Sequence, residues 1–237
     1  MGLTNEQYVI SMVPPQGWHE IEVDTKHREI EIERQLGQLR YVVPSWRTVS
    51  SALRRYLVKA YADAWKSGVR YAIATDIDPD DAVQVMATFM IAQLPQASVL
   101  GDLDDELDAV IETLSSEQAE LGDGEFMSLQ KVNLPKMGTA VQAQSITSLV
   151  DDKGDRTNRH VASLRTFIPY GEHVFVVTGA TPQIDIADVL FNLFTSMTDT
   201  VSIEFVNSSA DASTSGEEIW RFCCFCGCGF VVEPLWE

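Results

Sequence analysis

Residues 125–178 read EFMSLQKVNLPKMGTAVQAQSITSLVDDKGDRTNRHVASLRTFIPYGEHVFVVT. Four strand-like runs stand at 125–134, 139–150, 160–168 and 173–178. The breaks between them are short: Pro135-Lys136-Met137-Gly138, residues 151–158, and Pro169-Tyr170-Gly171-Glu172. Short connections between successive strands imply antiparallel neighbours, so the stretch predicts one continuous antiparallel run.

Working downstream, Thr181-Pro182 supplies a helix cap followed by proline at the first helical position. Ile186, Leu190, Leu193 and Met197 then mark an inward face, and 201–205 return as a strand. Upstream, Asp102 caps a helix whose Leu103, Leu107, Val110, Ile111 and Leu114 form one apolar stripe. Asp104, Asp105 and Glu106 lie in its first turn, where they complement the helix dipole; that placement explains them without a metal. Residues 69–75 and 82–93 are two further strands joined by Asp76-Ile77-Asp78-Pro79-Asp80-Asp81. A calcium loop needs glycine at its sixth position and glutamate at its twelfth. Counted from Asp76 those positions hold Asp81 and Ala87, so a hairpin loop is expected.

Further upstream, Ser45 is placed to cap a long helix carrying Trp46, Val49, Leu53, Leu57, Ala60 and Ala64 at helical spacing, with Gly68 as its stop. Arg47, Arg54, Arg55 and Lys59 line the opposite face, a basic stripe of the kind that is usually solvated. Residues 25–41 mix alternation at Ile30 and Ile32 with a helical face of Ile32, Leu36 and Leu39. The helix formers around them favour a helix. Residues 8–13 form a short strand that runs into the turn cluster Pro14-Pro15-Gln16-Gly17-Trp18.

This order predicts an α+β fold: a curved, mainly antiparallel sheet of about six to seven strands, with amphipathic helices covering both faces. One domain is expected over 3–206, followed by a Ser-rich flexible linker at 207–216 and a Cys- and aromatic-rich tail at 217–237. With 35 Asp+Glu against 17 Lys+Arg the net charge is −18, which argues against nucleic acid or an anionic membrane surface as the main partner. No apolar run approaches the roughly 20 residues that cross a bilayer, so no membrane insertion is expected. Met1-Gly2-Leu3-Thr4-Asn5-Glu6 carries neither the basic nor the apolar region of a secretory signal, and the cytoplasm is the expected compartment.

Several stretches resemble a known family. Val13-Pro14-Pro15-Gln16-Gly17-Trp18, the helix at 45–68 and Ala64-Trp65-Lys66-Ser67-Gly68-Val69-Arg70-Tyr71-Ala72 look like small actinobacterial proteins of unknown function. Val132-Asn133-Leu134-Pro135, Gly138-Thr139-Ala140-Val141, Thr166-Phe167-Ile168-Pro169-Tyr170-Gly171 and the run from Val174 to Pro182 are similar to the PsbP-like superfamily, with its LpqN- and DcrB-type members. The resemblance covers about 8–205. It implies a sheet sandwiched by helices and a binding, assembly or chaperone module, and it carries over no catalytic residue.

Reactive motifs are missing: the sequence has no Gly-x-Ser-x-Gly, His-Glu-x-x-His, phosphate loop or dinucleotide fingerprint. His160 and His173 flank an expected hairpin and are candidate cross-strand neighbours. The tail holds Cys223, Cys224, Cys226 and Cys228, four thiols in six residues, which makes soft-metal capture of copper or zinc one reading. Its aromatics Trp220, Phe222, Phe225, Phe230 and Trp236 suit insertion into a partner's groove. A third reading makes the folded body a leader whose C-terminal segment another enzyme modifies. The expectation is a non-enzymatic interaction module for a protein partner.

Overall fold

A computed structural model of the chain describes residues 7–24, 27–42, 45–75, 85–94, 103–119, 121–122, 124–150, 156–171 and 173–206. In chain order the elements are β1 (Gln7–Ser11), β2 (Trp18–Glu20), α1 (Arg28–Val42), α2 (Trp46–Lys66), β3 (Val69–Thr75), β4 (Thr88–Gln93), α3 (Leu103–Ala119), β5 (Phe126–Leu134), β6 (Gly138–Val150), β7 (Arg156–Tyr170), β8 (His173–Thr181), α4 (Ala187–Thr200) and β9 (Ser202–Val206). Seven strands form one wholly antiparallel sheet in the order β2-β3-β4-β8-β7-β6-β5. The fold class is α+β. The expected run β5-β6-β7-β8 forms four of the seven strands, and β8 then pairs with β4, which joins it to β2-β3-β4.

Strand alternation decides what each face meets. Tyr71, Ile73, Phe89, Ile91, Leu164, Ile168, Phe175 and Val177 point to one side. There they bury Leu190, Phe191, Phe194 and Met197 of α4 together with Tyr8, Ile10 and Ile203 of the β1–β9 ribbon. Each such side chain contributes about 1.5–3 kcal/mol when fully buried, so this cluster is the main core. The Tyr8 hydroxyl donates to Gln93 Oε1 at 2.6 Å, and its ring stands edge-on to Phe175 at 5.0 Å, which fastens the ribbon to the sheet.

The opposite face carries α3 and α2, and α1 lies on α2. Leu107 and Leu114 of α3, with Val110 and Ile111, cover Val141, Ala143, Leu129 and Phe167. At the far end of the sheet Ala64 and Trp65 of α2 lie on Val69 and Ala72. Helix α1 packs on α2 through Ile32, Leu36 and Tyr61. Arg54, from the basic stripe, bridges Glu29 at 3.1 Å and Glu33 at 2.8 Å on α1.

Five local readings change. The first and last strands pair with each other, outside the main sheet. Trp18, expected in a turn, begins the edge strand β2. Ser45 sits at the N-cap of α2 but makes no side-chain cap; its backbone oxygen accepts from Thr48 and Val49 at 2.9 and 3.2 Å. Thr181 ends β8, where its hydroxyl donates to the Met86 carbonyl and accepts from Gln183 N–H, and a 3-10 turn (Ile184–Ile186) precedes α4. At residue 75 the same chemistry shortens β4. The Thr75 hydroxyl donates to Val85 O at 2.6 Å and accepts from Ala87 N–H at 3.1 Å, so the strand begins at Thr88.

Candidate functional site

The register of β5, β6 and β7 sets the face under α3 in rows: Lys131–Val141–Phe167, Leu129–Ala143–Arg165, then Met127–Ser145–Ser163. Apolar members of the first two rows carry the stripe of α3. The third row turns polar where that helix runs out, and a cleft of about 380 Å³ opens beneath the helix end. Gln118 pins that end by donating from Nε2 to Met127 O at 2.9 Å.

Glu125 forms one wall, with a side chain only 3% exposed. Its Oε2 accepts from Gly122 N–H and its Oε1 from Ser148 N–H, both at 2.7 Å, and Arg156 pairs with Oε2 as well. The Gly122 backbone bond, followed by the backbone and hydroxyl of Ser148 and the Arg156 guanidinium, holds this carboxyl down to about 2. It is therefore a carboxylate at neutral pH.

Arg165 rises from the floor. It donates from Nη2 to Glu117 Oε2 at 2.9 Å, a one-point pair between side chains 27% and 47% exposed. Among the described residues its buried Nε meets no acceptor. Beside it the Ser145 and Ser163 hydroxyls bond each other at 2.9 Å. Among the described residues the lining holds no His, Lys or Cys, and its carboxylates are Glu117 and Glu125.

A second cluster sits between β2 and α1. Ligand atoms of Glu22, Asp24 and His27, all half-buried, lie within 4.8 Å of one another. Mixed carboxylate and imidazole donors suit zinc. Asp24 also has a structural role: Oδ1 accepts from His27 N–H at 2.6 Å and Oδ2 faces His27 Nδ1 at 2.9 Å, which ties down the start of α1. Next to it, burial and then the charges of Glu22 and Glu31 push the Glu20 carboxyl up to about 8. Glu22 is raised too, by burial first and Asp24 second.

The sequence-nominated residues fare differently. His160 and His173 do not meet. The hairpin closes on the pair Tyr170–His173, while His160 lies ten residues up β7, roughly 33 Å at strand rise, opposite Ser148. Arg47, Arg55 and Lys59 are exposed on α2. Cys223, Cys224, Cys226 and Cys228, the aromatics Trp220, Phe222, Phe225, Phe230 and Trp236, the linker and the loop 76–81 lie outside the described residues. So do Thr25 and Asp102. Sequence reasoning missed the cleft. Its signal was there in the odd positions of β7, where Ser163 and Arg165 precede Phe167 on the face that a helix should cover.

Among the described residues no helix is long and apolar enough to cross a membrane. No protein-family model and no curated protein matches the chain in sequence. The chain is similar to the solved structure of LpqN, involved in cell envelope biogenesis of Mycobacterium tuberculosis, at 15% identity and a TM-score of 0.43 over 84% of this chain and 85% of that one. It is similar also to PA94 of Pseudomonas aeruginosa, a protein of unknown function, at 17% identity and a TM-score of 0.38 over 57% of this chain and 84% of that one.

Proposed function

We propose that the chain is a non-enzymatic interaction module that recognises a polypeptide segment in the cleft beneath the end of α3. The observation that carries this reading is the cleft's composition. It gathers hydroxyls and guanidinium groups over β5, β6 and β7, while Glu125 is fixed as a carboxylate and the Ser145 and Ser163 hydroxyls bond each other. Hydrogen-bonding groups held in place without an activated nucleophile bind and orient; they do not turn over. The volume stands at the low end of the roughly 300–1,000 Å³ typical of ligand clefts, which suits one or two side chains of an extended segment. A net charge of −18 disfavours nucleic acid as the occupant. The module is assigned to a reducing cytoplasm, in an assembly or chaperone-like role.

A peptide-display selection on the full chain tests the reading, run in parallel on Ser163→Val and Arg165→Ala. Peptides enriched on the wild type and lost on both variants, at unchanged thermal unfolding, are the expected result. Enrichment that is equal on all three proteins, or turnover of a substrate in the cleft, defeats it.

A further inference from the structure

We infer that the cleft takes the carboxylate of an acidic side chain in the bound segment, received on Arg165 in place of Glu117. The inference rests on the recognition reading above and names its chemistry.

The two arginine–glutamate pairs that border the cleft are built differently. Glu125 is 3% exposed and saturated by Gly122, Ser148 and Arg156, so it stays where it is. Glu117 is 47% exposed near the end of α3 and meets Arg165 through a single bond at 2.9 Å. A half-exposed, one-point pair is held weakly and opens readily into solvent. Behind it is a guanidinium with five donors in a fixed fork, of which Glu117 engages one. Such a fork is matched by a planar carboxylate on two parallel bonds.

The ligand must be anionic. Once Glu117 swings out, Arg165 is left charged and partly buried, and only an incoming negative group restores the balance. Glu117 stays attached near the end of α3, so the bound carboxylate adds one negative charge to a chain of −18 and is held by Arg165 against that field. A second anchor lies on the same strand and face, two residues away. Of the two hydroxyl protons on Ser145 and Ser163, their mutual bond uses one, which leaves the other for a ligand oxygen. Two residues apart on β7, Arg165 and Ser163 have Cα atoms roughly 7 Å apart on one face of the sheet.

The test is an NMR titration of the uniformly 15N-labelled full chain, following the arginine Nε–H and the backbone amide signals. Its two probes are acetyl-Gly-Glu-Gly-amide and the isosteric acetyl-Gly-Gln-Gly-amide. We expect saturable shifts at Arg165 and Ser163 with the Glu peptide, and binding about ten-fold weaker with the Gln peptide, the worth of one charge-assisted hydrogen bond. Glu117→Gln should tighten the Glu peptide, because the internal competitor is gone. Arg165→Lys should loosen it, because the charge stays while the planar fork is lost. Equal affinity for the two peptides, no saturable shift, or weaker binding by Glu117→Gln overturns the inference. If display-selected peptides still need Ser163 and Arg165 yet carry no acid, the carboxylate assignment falls and the cleft survives as a recognition surface. If no peptide needs those residues, the recognition reading itself falls.

Discussion

Two glutamates displaced in opposite directions show how position alone sets the behaviour of one side-chain type. Glu125 is ionised in the fold down to about 2, against 4.5 for the ordinary group. A depressed carboxyl adds stability above its unfolded value and loses it as the pH falls towards its folded one. Glu125→Gln should therefore lower the urea midpoint at neutral pH, with the gap to the wild type closing between about pH 4.5 and pH 2. A gap that persists in acid would show that shape, not charge, is what Glu125 supplies. Glu20 runs the other way, from 4.5 to about 8. Its carboxyl is protonated in the fold at a pH where the unfolded chain has already released the proton, so stability falls as the pH climbs through that window. Glu20→Gln imitates the protonated form. It should match the wild type near pH 4 and exceed it near pH 8 by up to a few kcal/mol, since each tenfold change in proton affinity is worth about 1.4 kcal/mol before solvent screening. Thermal melts at the two pH values decide it, and equal curves at both would mean that Glu20 is solvated.

At the scale of elements, one glycine sets how closely α4 approaches the sheet. Gly179 on β8 lies under Phe194, and a Cβ there would come within 2.2 Å of the ring. Phe194 is fully buried, so it has nowhere to go. Gly179→Ala should cost roughly 1–3 kcal/mol as an overpacked core. Adding Phe194→Leu should recover part of that loss, a coupling that a double-mutant cycle in urea would measure. Additive losses would break the contact argument. Gly68 is a different case: at φ +95 it ends α2, and a Cβ would meet Gln93 O at 2.0 Å. Its role as a stop was legible, because glycine after a helical run is a local signal. The strands of 125–178 were legible for the same reason, their turns being written in adjacent residues. The β1–β9 pairing was not, since nothing near Tyr8 indicates that its partner stands at Phe205. The cleft shares that cause. Ser145 and Ser163 are 18 residues apart, and their meeting depends on a register set across two strands. His160 and His173 show the reverse error: nearness in sequence suggested contact, but the hairpin turn falls beside His173 and carries His160 to the other end.

For the whole molecule, closure of the fold and use of the cleft separate cleanly. The main core draws its fully buried members from Tyr8 at one end to Ile203 at the other, and β9 ends at Val206. The terminal strands lie side by side, so the ribbon binds the two ends of the domain to each other before anything further along the chain is needed. Ribbon and sheet are joined by Tyr8–Gln93 and by Phe205 stacked on Tyr170 at 5.1 Å, and all four residues precede position 207. A chain ended after Val206 should therefore melt within about 2–4 °C of the full chain, the difference expected from a change of about 1 kcal/mol at this size. It should also keep the Glu-peptide titration, because the cleft residues lie between Glu117 and Arg165. The stability half of that expectation is checked by calorimetry and the binding half by NMR on the same sample. A large drop in melting temperature would place core contacts in 207–237. An unchanged melt with lost peptide binding would make that segment part of the recognition surface, a result that the cleft's own geometry does not call for.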